Sequence, residues 1–115
     1  MFDVIGTACE VLGSKLGVPA SSEVPRERPR AFCTVERTGG GASTGRDEPN
    51  LAVQLWGESD QSAYSLALAA REVVLALPRL VPQVCRAEVG SVYSFPDPDL
   101  RMRRYQIDAY LVTRP

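Results

Sequence analysis

The chain contains no histidine, and its three cysteines have no C-x-x-C spacing. Histidine is the commonest general base and a principal zinc ligand, so imidazole triads and the usual zinc sites are excluded. Carboxylate pairs can hydrolyse glycosides, but the acidic residues here are scattered and no two of them form a recognisable working pair. We therefore expect neither an enzyme nor a bound cofactor.

Two pairs of neighbouring acids, Asp97 with Asp99 and Asp47 with Glu48, could in principle share a cation through their carboxylates. Calcium prefers roughly six to eight oxygen ligands, more than either pair supplies. Polar turns explain both pairs better, and we expect no metal.

The sequence also lacks a long apolar run and a strong charge imbalance. No stretch approaches the ~18 apolar residues that a membrane span needs, and the formal net charge is −1. Such a balance gives no general attraction to nucleic acid or to anionic membranes. The first residues, "MFDVIGTACEVLG", have no basic leader, so we expect no secretion signal, no membrane partner and a soluble protein.

The cysteines are Cys9, Cys33 and Cys85, each with apolar neighbours. Their odd number and wide separation favour buried free thiols in a reducing compartment over a disulfide framework.

The N-terminal segment has the apolar period of a helix, which Gly17 and Pro19 then end. Residues 19–30 hold three prolines and predict an extended connector. Its alternating arginines suit either an anion-binding arm or a solvated linker, and the interleaved Glu23 and Glu27 favour the linker.

The apolar stripe of the N-terminal helix, which precedes this connector, comprises Phe2, Ile5, Ala8, Cys9, Leu12 and Leu16.

Two strands are predicted next, "RAFCTVERT" and "NLAVQLWGE", joined by a glycine-rich interval. In the second strand Leu51, Val53 and Leu55 share one face, and Ala52, Gln54 and Trp56 share the other. Trp56, the only tryptophan, fits a core position and a partner-facing position equally well.

A second helix follows, capped by Ser59 or Asp60 and ended by Pro78. Small residues on its stripe allow close packing on a sheet. The stripe comprises Ala63, Leu66, Ala67, Ala70, Val74 and Leu77.

Two strands then close the sequence, "QVCRAEVGSVYSF" and "RRYQIDAYLVTR". Gly90 is a natural bulge site, and "PDPD" (96–99) predicts a tight antiparallel return. In the last strand Tyr105, Ile107, Ala109 and Leu111 should share a face, opposite Gln106, Asp108 and Tyr110.

This order predicts a single α+β domain over residues 1–115, with the plan α-β-β-α-β-β. Short connections favour an antiparallel four-stranded sheet, with both helices on its apolar face in a two-layer arrangement.

The glycine-rich interval "GGGASTGRD" (39–47) partly matches the spacing of a phosphate-binding loop. Such a loop needs a lysine, a hydroxyl and a following helix, but Arg46 and Asp47 occupy the two key positions and a strand follows. We interpret residues 39–49 instead as the flexible tip of a hairpin, a loop long enough to be either functional or disordered.

Three segments resemble the tail terminator proteins of long-tailed bacteriophages, also called tail completion or head-to-tail joining proteins. They are "RPRAFCTVERTGG", "RDEPNLAVQLWGESDQSAYSLALAAREVVLAL" and "VGSVYSFPDPDLRMRRYQIDAYLVTR". The resemblance covers residues 26–114. It depends on the order of P-x-L-A-V-Q-x-W (49–56), an alanine-rich helix and a Y-x-F-P-D-P turn before RYQ.

The resemblance implies a virion subunit that forms a homo-oligomeric ring, typically of six, on the head-proximal end of the tail tube. Such a ring stops tube polymerisation and joins the tail to the neck or head-completion protein. It reads no nucleic-acid sequence and leaves DNA free to pass through its centre. No catalysis, metal or cofactor is implied.

Two surfaces are candidate interfaces in such a ring. The tip, with Gly39, Gly40, Gly41, Gly45 and Arg46, could order on docking or stay disordered in every state. The arginines Arg101, Arg103 and Arg104 suit a charge-complementary contact or a solvated hairpin end.

Two other classes remain open on the sequence. Another ring-forming neck or head-closure protein, or a tail tube subunit, would use the same kind of sheet. A bacterial α+β ligand-binding domain would need a concave apolar pocket with converging polar groups.

Overall fold

The computed structural model describes residues 2–96, 98 and 102–115. In these ranges two helices and seven strands follow one another along the chain. The helices are α1 (Val4–Leu16) and α2 (Asp60–Leu80); the strands are β1 (Ala20–Ser21), β2 (Phe32–Gly39), β3 (Ala42–Ser43), β4 (Arg46–Asp47), β5 (Asn50–Gly57), β6 (Val84–Ser94) and β7 (Arg103–Thr113).

The four long strands lie in the order β2-β5-β7-β6, and every neighbouring pair is antiparallel. The α+β class is therefore confirmed. The predicted sheet of four antiparallel strands is wrong in two respects, since the described sheet has seven strands and β1 runs parallel to β2. The three additional strands have two residues each, too few for an alternating pattern to appear in the sequence.

Both helices pack on the same face of the sheet. One continuous cluster joins Ala8 and Leu12 of α1, Ala67 and Val74 of α2 and Ile107 of β7, along with other apolar strand residues. Alanines along the α2 stripe let its backbone approach the sheet closely, as the sequence predicts.

The ends of α1 follow local sequence chemistry. Asp3 caps the N-terminus by accepting a hydrogen bond at Oδ1 from the amide of Gly6, at 2.9 Å. Gly17 ends the helix with φ +69°, a left-handed conformation that glycine adopts at low cost.

Helix α2 begins with a capping box between Ser59 and Ser62. The prediction that Pro78 ends this helix is wrong, because the helix continues to Leu80. Proline's fixed φ is compatible with a helix, and its missing N–H removes one intrahelical bond. The last turn is closed by the Val81 amide, which donates to the Leu77 carbonyl at 2.8 Å, and Val81 is itself buried.

Strand β6 forms one edge of the sheet and pairs only with β7 in the described residues. Its register shifts between Val84 and Arg86 and again between Val89 and Val92. The second shift confirms the bulge predicted at Gly90. A side chain at Gly90 would lie 2.8 Å from the ring of Tyr110, which explains why glycine fits here.

Candidate interface surfaces

The glycine-rich tip folds into a small hairpin of β3 and β4. Gly45 has φ +74° in its turn, and Gly40 has φ +101° where the hairpin leaves β2. A Cβ atom on Gly40 would lie 2.0 Å from the Glu48 carbonyl oxygen, whereas one on Gly41 would meet nothing within 4 Å. Gly40 is therefore required by a close backbone approach, and Gly41 is not.

An arginine–carboxylate pair holds the base of this hairpin. Arg37 donates to both oxygens of Asp47, with N–O distances of 2.7 and 2.8 Å, and also to the carbonyls of Gly39 and Gly40. The bidentate bond to Arg37 lowers the pKa of Asp47, and the bond to Asp47 raises the pKa of Arg37. Both side chains are about one third exposed, so solvent screens much of their attraction.

Backbone bonds join the tip to the rest of the sheet. Asp47 pairs with Thr113 of β7, and the Leu111 amide donates to the Pro49 carbonyl at 3.0 Å. The tip thus lies alongside the C-terminal end of β7. Whether it is flexible in solution, as the sequence suggests, remains a prediction.

A groove lies between the tip hairpin and the residues that follow β7. It has a volume of about 380 Å³ and includes two of the sequence-predicted tip residues, Gly45 and Arg46. We call it the tip groove; its walls are Phe2, Arg37, Ala42, Ser43, Gly45, Arg46, Asp47, Thr113, Arg114 and Pro115.

Trp56 lies in a second, smaller core on the sheet face opposite the helices. Its ring stacks on Phe32 with centroids 4.6 Å apart, and Met102 completes the cluster. Only 1% of its surface is exposed. The sequence left a core position and a partner-facing position open for Trp56. In the structure Trp56 lies in the core, so it offers no contact area to a partner in this conformation.

Arg104 covers this core. Its guanidinium lies 4.2 Å from the Phe95 ring centroid and 5.2 Å from that of Trp56, and it donates to the carbonyls of Phe95 and Pro96. Arg103, the next residue, is exposed. Of the three candidate interface arginines, Arg104 is thus committed within the subunit and Arg103 faces solvent. Arg101 lies outside the described residues, as do Asp97 and Asp99.

A row of polar side chains crosses the sheet face opposite the helices, which we call the open face. The sequence analysis did not identify this row. Thr34, Gln54, Gln106 and Tyr93 occupy one register position on four adjacent strands. Thr34 Oγ1 donates to Gln54 Oε1, Gln54 Nε2 donates to Gln106 Oε1 at 2.8 Å, and Gln106 Nε2 donates to Tyr93 Oη. Alternation places each glutamine on this face, but only strand register aligns them.

The three cysteines are free thiols with different environments. Burial raises the pKa of Cys33 to about 12, so this thiol stays neutral. Cys9 is half-buried, and burial together with the nearby Asp3 raises its pKa. The expectation that all three are buried is wrong for Cys85, which is exposed because it lies at the irregular start of the edge strand β6. Its Sγ accepts hydrogen bonds from Arg114 at 3.3 and 3.4 Å.

Neither a metal site nor a membrane span is found where the chain is described. In residues 2–96, 98 and 102–115, no group of three or more His, Cys, Asp and Glu side chains is placed to hold a metal ion. Over the same ranges, no helix combines the length and apolar character needed to cross a membrane.

Comparisons with known proteins identify the fold. A scan against protein-family models finds no match. A search of curated proteins finds none either. Among solved structures, the chain is similar to a chain from the "Virion of native gene transfer agent (GTA) particle", with a TM-score of 0.67 and 10% sequence identity. The alignment covers 96% of this chain and 92% of that chain, so the two share a fold over almost their whole length.

Proposed function

We propose that this chain is a structural subunit of a phage-like virion. It forms a ring on the head-proximal end of the tail tube, stops tube polymerisation and joins the tail to the neck. The observation that carries the proposal is the fold match to a chain of a gene transfer agent virion, at a TM-score of 0.67 over nearly the full length. The resemblance of residues 26–114 to tail terminators supports the finer role and a ring of six copies.

A ring needs a heterologous contact, in which one face of each subunit fits a different face of its neighbour. Helix α2 offers apolar surface for such a contact, since Tyr64, Leu68 and Leu75 follow one another at helical spacing and are 38–45% exposed. The edge strand β6 also leaves apolar side chains such as Ala87 and Val89 only partly buried. We call this surface the β6 flank and propose that it packs against the next subunit.

The β6 flank makes this contact through side chains more than through strand pairing. Irregular register at both Cys85 and Gly90 leaves only a short regular stretch between them. Bulges and charged side chains such as Arg86 and Glu88 are the devices by which proteins discourage unplanned pairing at an edge.

The test of the role is electron microscopy of particles made without this protein. Overlong tubes identify a length terminator, and tails of normal length that fail to attach to heads identify a connector without a terminating role. Complete, infectious particles would contradict both. Quantifying the protein in intact particles separates one ring from a tube subunit, which would be present in many copies.

The ring contact has its own test in solution. Leu68 and Leu75 are replaced together by serine, with Leu80→Ser as the control, because Leu80 is 41% exposed against 42% for Leu68. Leu80 lies on another side of α2, beside Glu10 and Lys15 of α1. We expect the double variant to lose ring formation by native mass spectrometry while Leu80→Ser keeps it; intact rings in the double variant would exclude the β6 flank.

A further inference from the structure

The lining of the tip groove combines apolar residues with several arginines. Phe2, Ala42 and Pro115 supply apolar surface, and Arg37, Arg46 and Arg114 supply positive charge. Asp47 is the one acidic side chain in its lining. Counted over the side chains that line it, the groove has three arginines against one acid, although the whole chain has a formal net charge of −1.

The three arginines differ in how completely their hydrogen bonds are used. Arg37 is committed to Asp47 in a bidentate pair, so these two charges cancel. Arg46 makes a single bond to Glu48 at 3.1 Å between well-exposed side chains, the kind of pair that contributes little. Arg114 donates to the Cys85 thiol, and sulfur is a weak acceptor. Arg46 and Arg114 thus each use only part of their five guanidinium N–H donors, and the remaining donors can bond to a carboxylate placed in the groove.

We propose that the tip groove binds an acidic peptide segment of a partner protein. Carboxylates of the segment pair with Arg46 and Arg114, and an apolar side chain beside them packs on Phe2 and Ala42. A volume of about 380 Å³ suits two or three residues of such a segment. This site is separate from the β6 flank, and the proposal does not require a ring.

A peptide fits the groove better than a nucleic-acid backbone does. Nucleic-acid binding draws its affinity from many phosphate contacts along an extended basic surface. Here two available guanidiniums lie in a short groove, and the rest of its lining includes Phe2, Ala42 and Pro115. Arginine pairs with a carboxylate in planar, bidentate geometry, which gives specificity as well as affinity.

The experiment uses a fluorescein-labelled acidic peptide, Asp-Leu-Asp-Leu-Glu, and its amide analogue Asn-Leu-Asn-Leu-Gln. Binding to the full chain is measured by fluorescence anisotropy and mapped by amide shifts in NMR spectra. We expect the acidic peptide to bind and to shift residues 42–47 and 113–114, and the amide analogue to bind at least tenfold more weakly. Equal binding of the two peptides, no binding, or shifts elsewhere would overturn the proposal.

Variants of single arginines test which guanidinium groups bind the peptide. Arg46→Gln and Arg114→Gln should each weaken binding by about tenfold, the usual effect of losing a hydrogen bond to a charged group. Arg86→Gln is the matched control, because Arg86 pairs with Glu88 at 3.0 Å just as Arg46 pairs with Glu48 at 3.1 Å. If Arg86→Gln loses as much peptide affinity as Arg46→Gln and Arg114→Gln, the overall charge of the chain explains the losses, and the proposed site is overturned. Displacement of the peptide by oligothymidine at equal concentration would assign the groove to phosphate instead.

A pair of glycine variants tests the geometry without changing any charge. Gly40→Ala must displace the hairpin, because its new methyl would overlap the Glu48 carbonyl, whereas Gly41→Ala meets open space. We expect Gly40→Ala to lose peptide binding while circular dichroism shows that the domain remains folded, and Gly41→Ala to bind as the natural chain does. Full binding by Gly40→Ala would show that the groove is not the site.

Discussion

The two faces of the sheet hold neighbouring rows of residues that are stabilised in different ways. Val35, Val53 and Ile107 form a cross-strand row under the helices, and each is at most 1% exposed. At the adjacent register position, Thr34, Gln54 and Gln106 form a second row. This row lies on the open face, and its side chains bond to one another. The apolar row needs a covering layer to exclude water, whereas the polar row satisfies its own donors and acceptors.

The open face has one exception, the core of Phe32, Trp56 and Met102. In the described residues no helix covers it; the guanidinium of Arg104 lies 5.2 Å from the ring centroid of Trp56 and 4.2 Å from that of Phe95. Arginine can cover apolar surface in this way because its stem is apolar and its head remains hydrogen-bonded. The comparison shows that a sheet face without helices can still hold a buried tryptophan, here with a charged side chain packed near its ring.

The largest loss of stability is expected from a substitution on the helix-covered face. Ile107→Ala would leave a cavity in the main core, since Ile107 is fully buried, and should lower the free energy of unfolding by about 2–5 kcal/mol. Urea denaturation measures this loss. The neighbouring Gln106→Ala should cost less, and equal losses at the two positions would remove the distinction between the faces.

A smaller loss of stability is expected from a substitution beside the core of Phe32, Trp56 and Met102. Arg104→Ala should lower the free energy of unfolding by about 1–3 kcal/mol, because it removes a cation–π contact and two hydrogen bonds. Arg103→Ala is the control, since that side chain is exposed and should change stability by no more than about 0.5 kcal/mol. If the two variants unfold at the same urea concentration, Arg104 does not serve as the cover.

The smallest effect is expected along the polar row. A double-mutant cycle with Gln54→Ala and Gln106→Ala isolates the bond between their side chains, whose N–O distance is 2.8 Å. We expect a coupling of about 0.5–1.5 kcal/mol, typical of a hydrogen bond that is exchanged for bonds to water. Strict additivity would mean that the row is aligned but not energetically connected.

Much of the fold is readable from particular residues. The period of α1 and its end at Gly17 are local, so the sequence predicts that helix directly; the N-cap at Asp3 is equally local but was not predicted. Alternation places Ile107 and Gln106 on opposite faces of β7, and Gly90 marks the bulge in β6. These features depend on residues close together in the chain, and their periods differ between helix and strand.

Other features depend on partners that are distant in the chain. The two-residue strand β1 is a strand because it pairs with β2, and β4 joins the main sheet because Asp47 pairs with Thr113 at the end of β7. The last turn of α2, beyond Pro78, ends at Val81, which is buried in the core, and Cys85 is exposed because its strand lies at an edge. Likewise the tip groove joins Arg46 to Arg114 across most of the sequence.

The sequence by itself therefore determined the order of the long elements, the apolar face of each one and the absence of any imidazole side chain. Only the tertiary structure decided which arginines cover a core and which line a groove, and which polar residues form a row. The physical reason is that helix and strand periodicity is set by neighbouring residues, whereas burial, ion pairing and strand register are set by residues that meet only when the chain is folded.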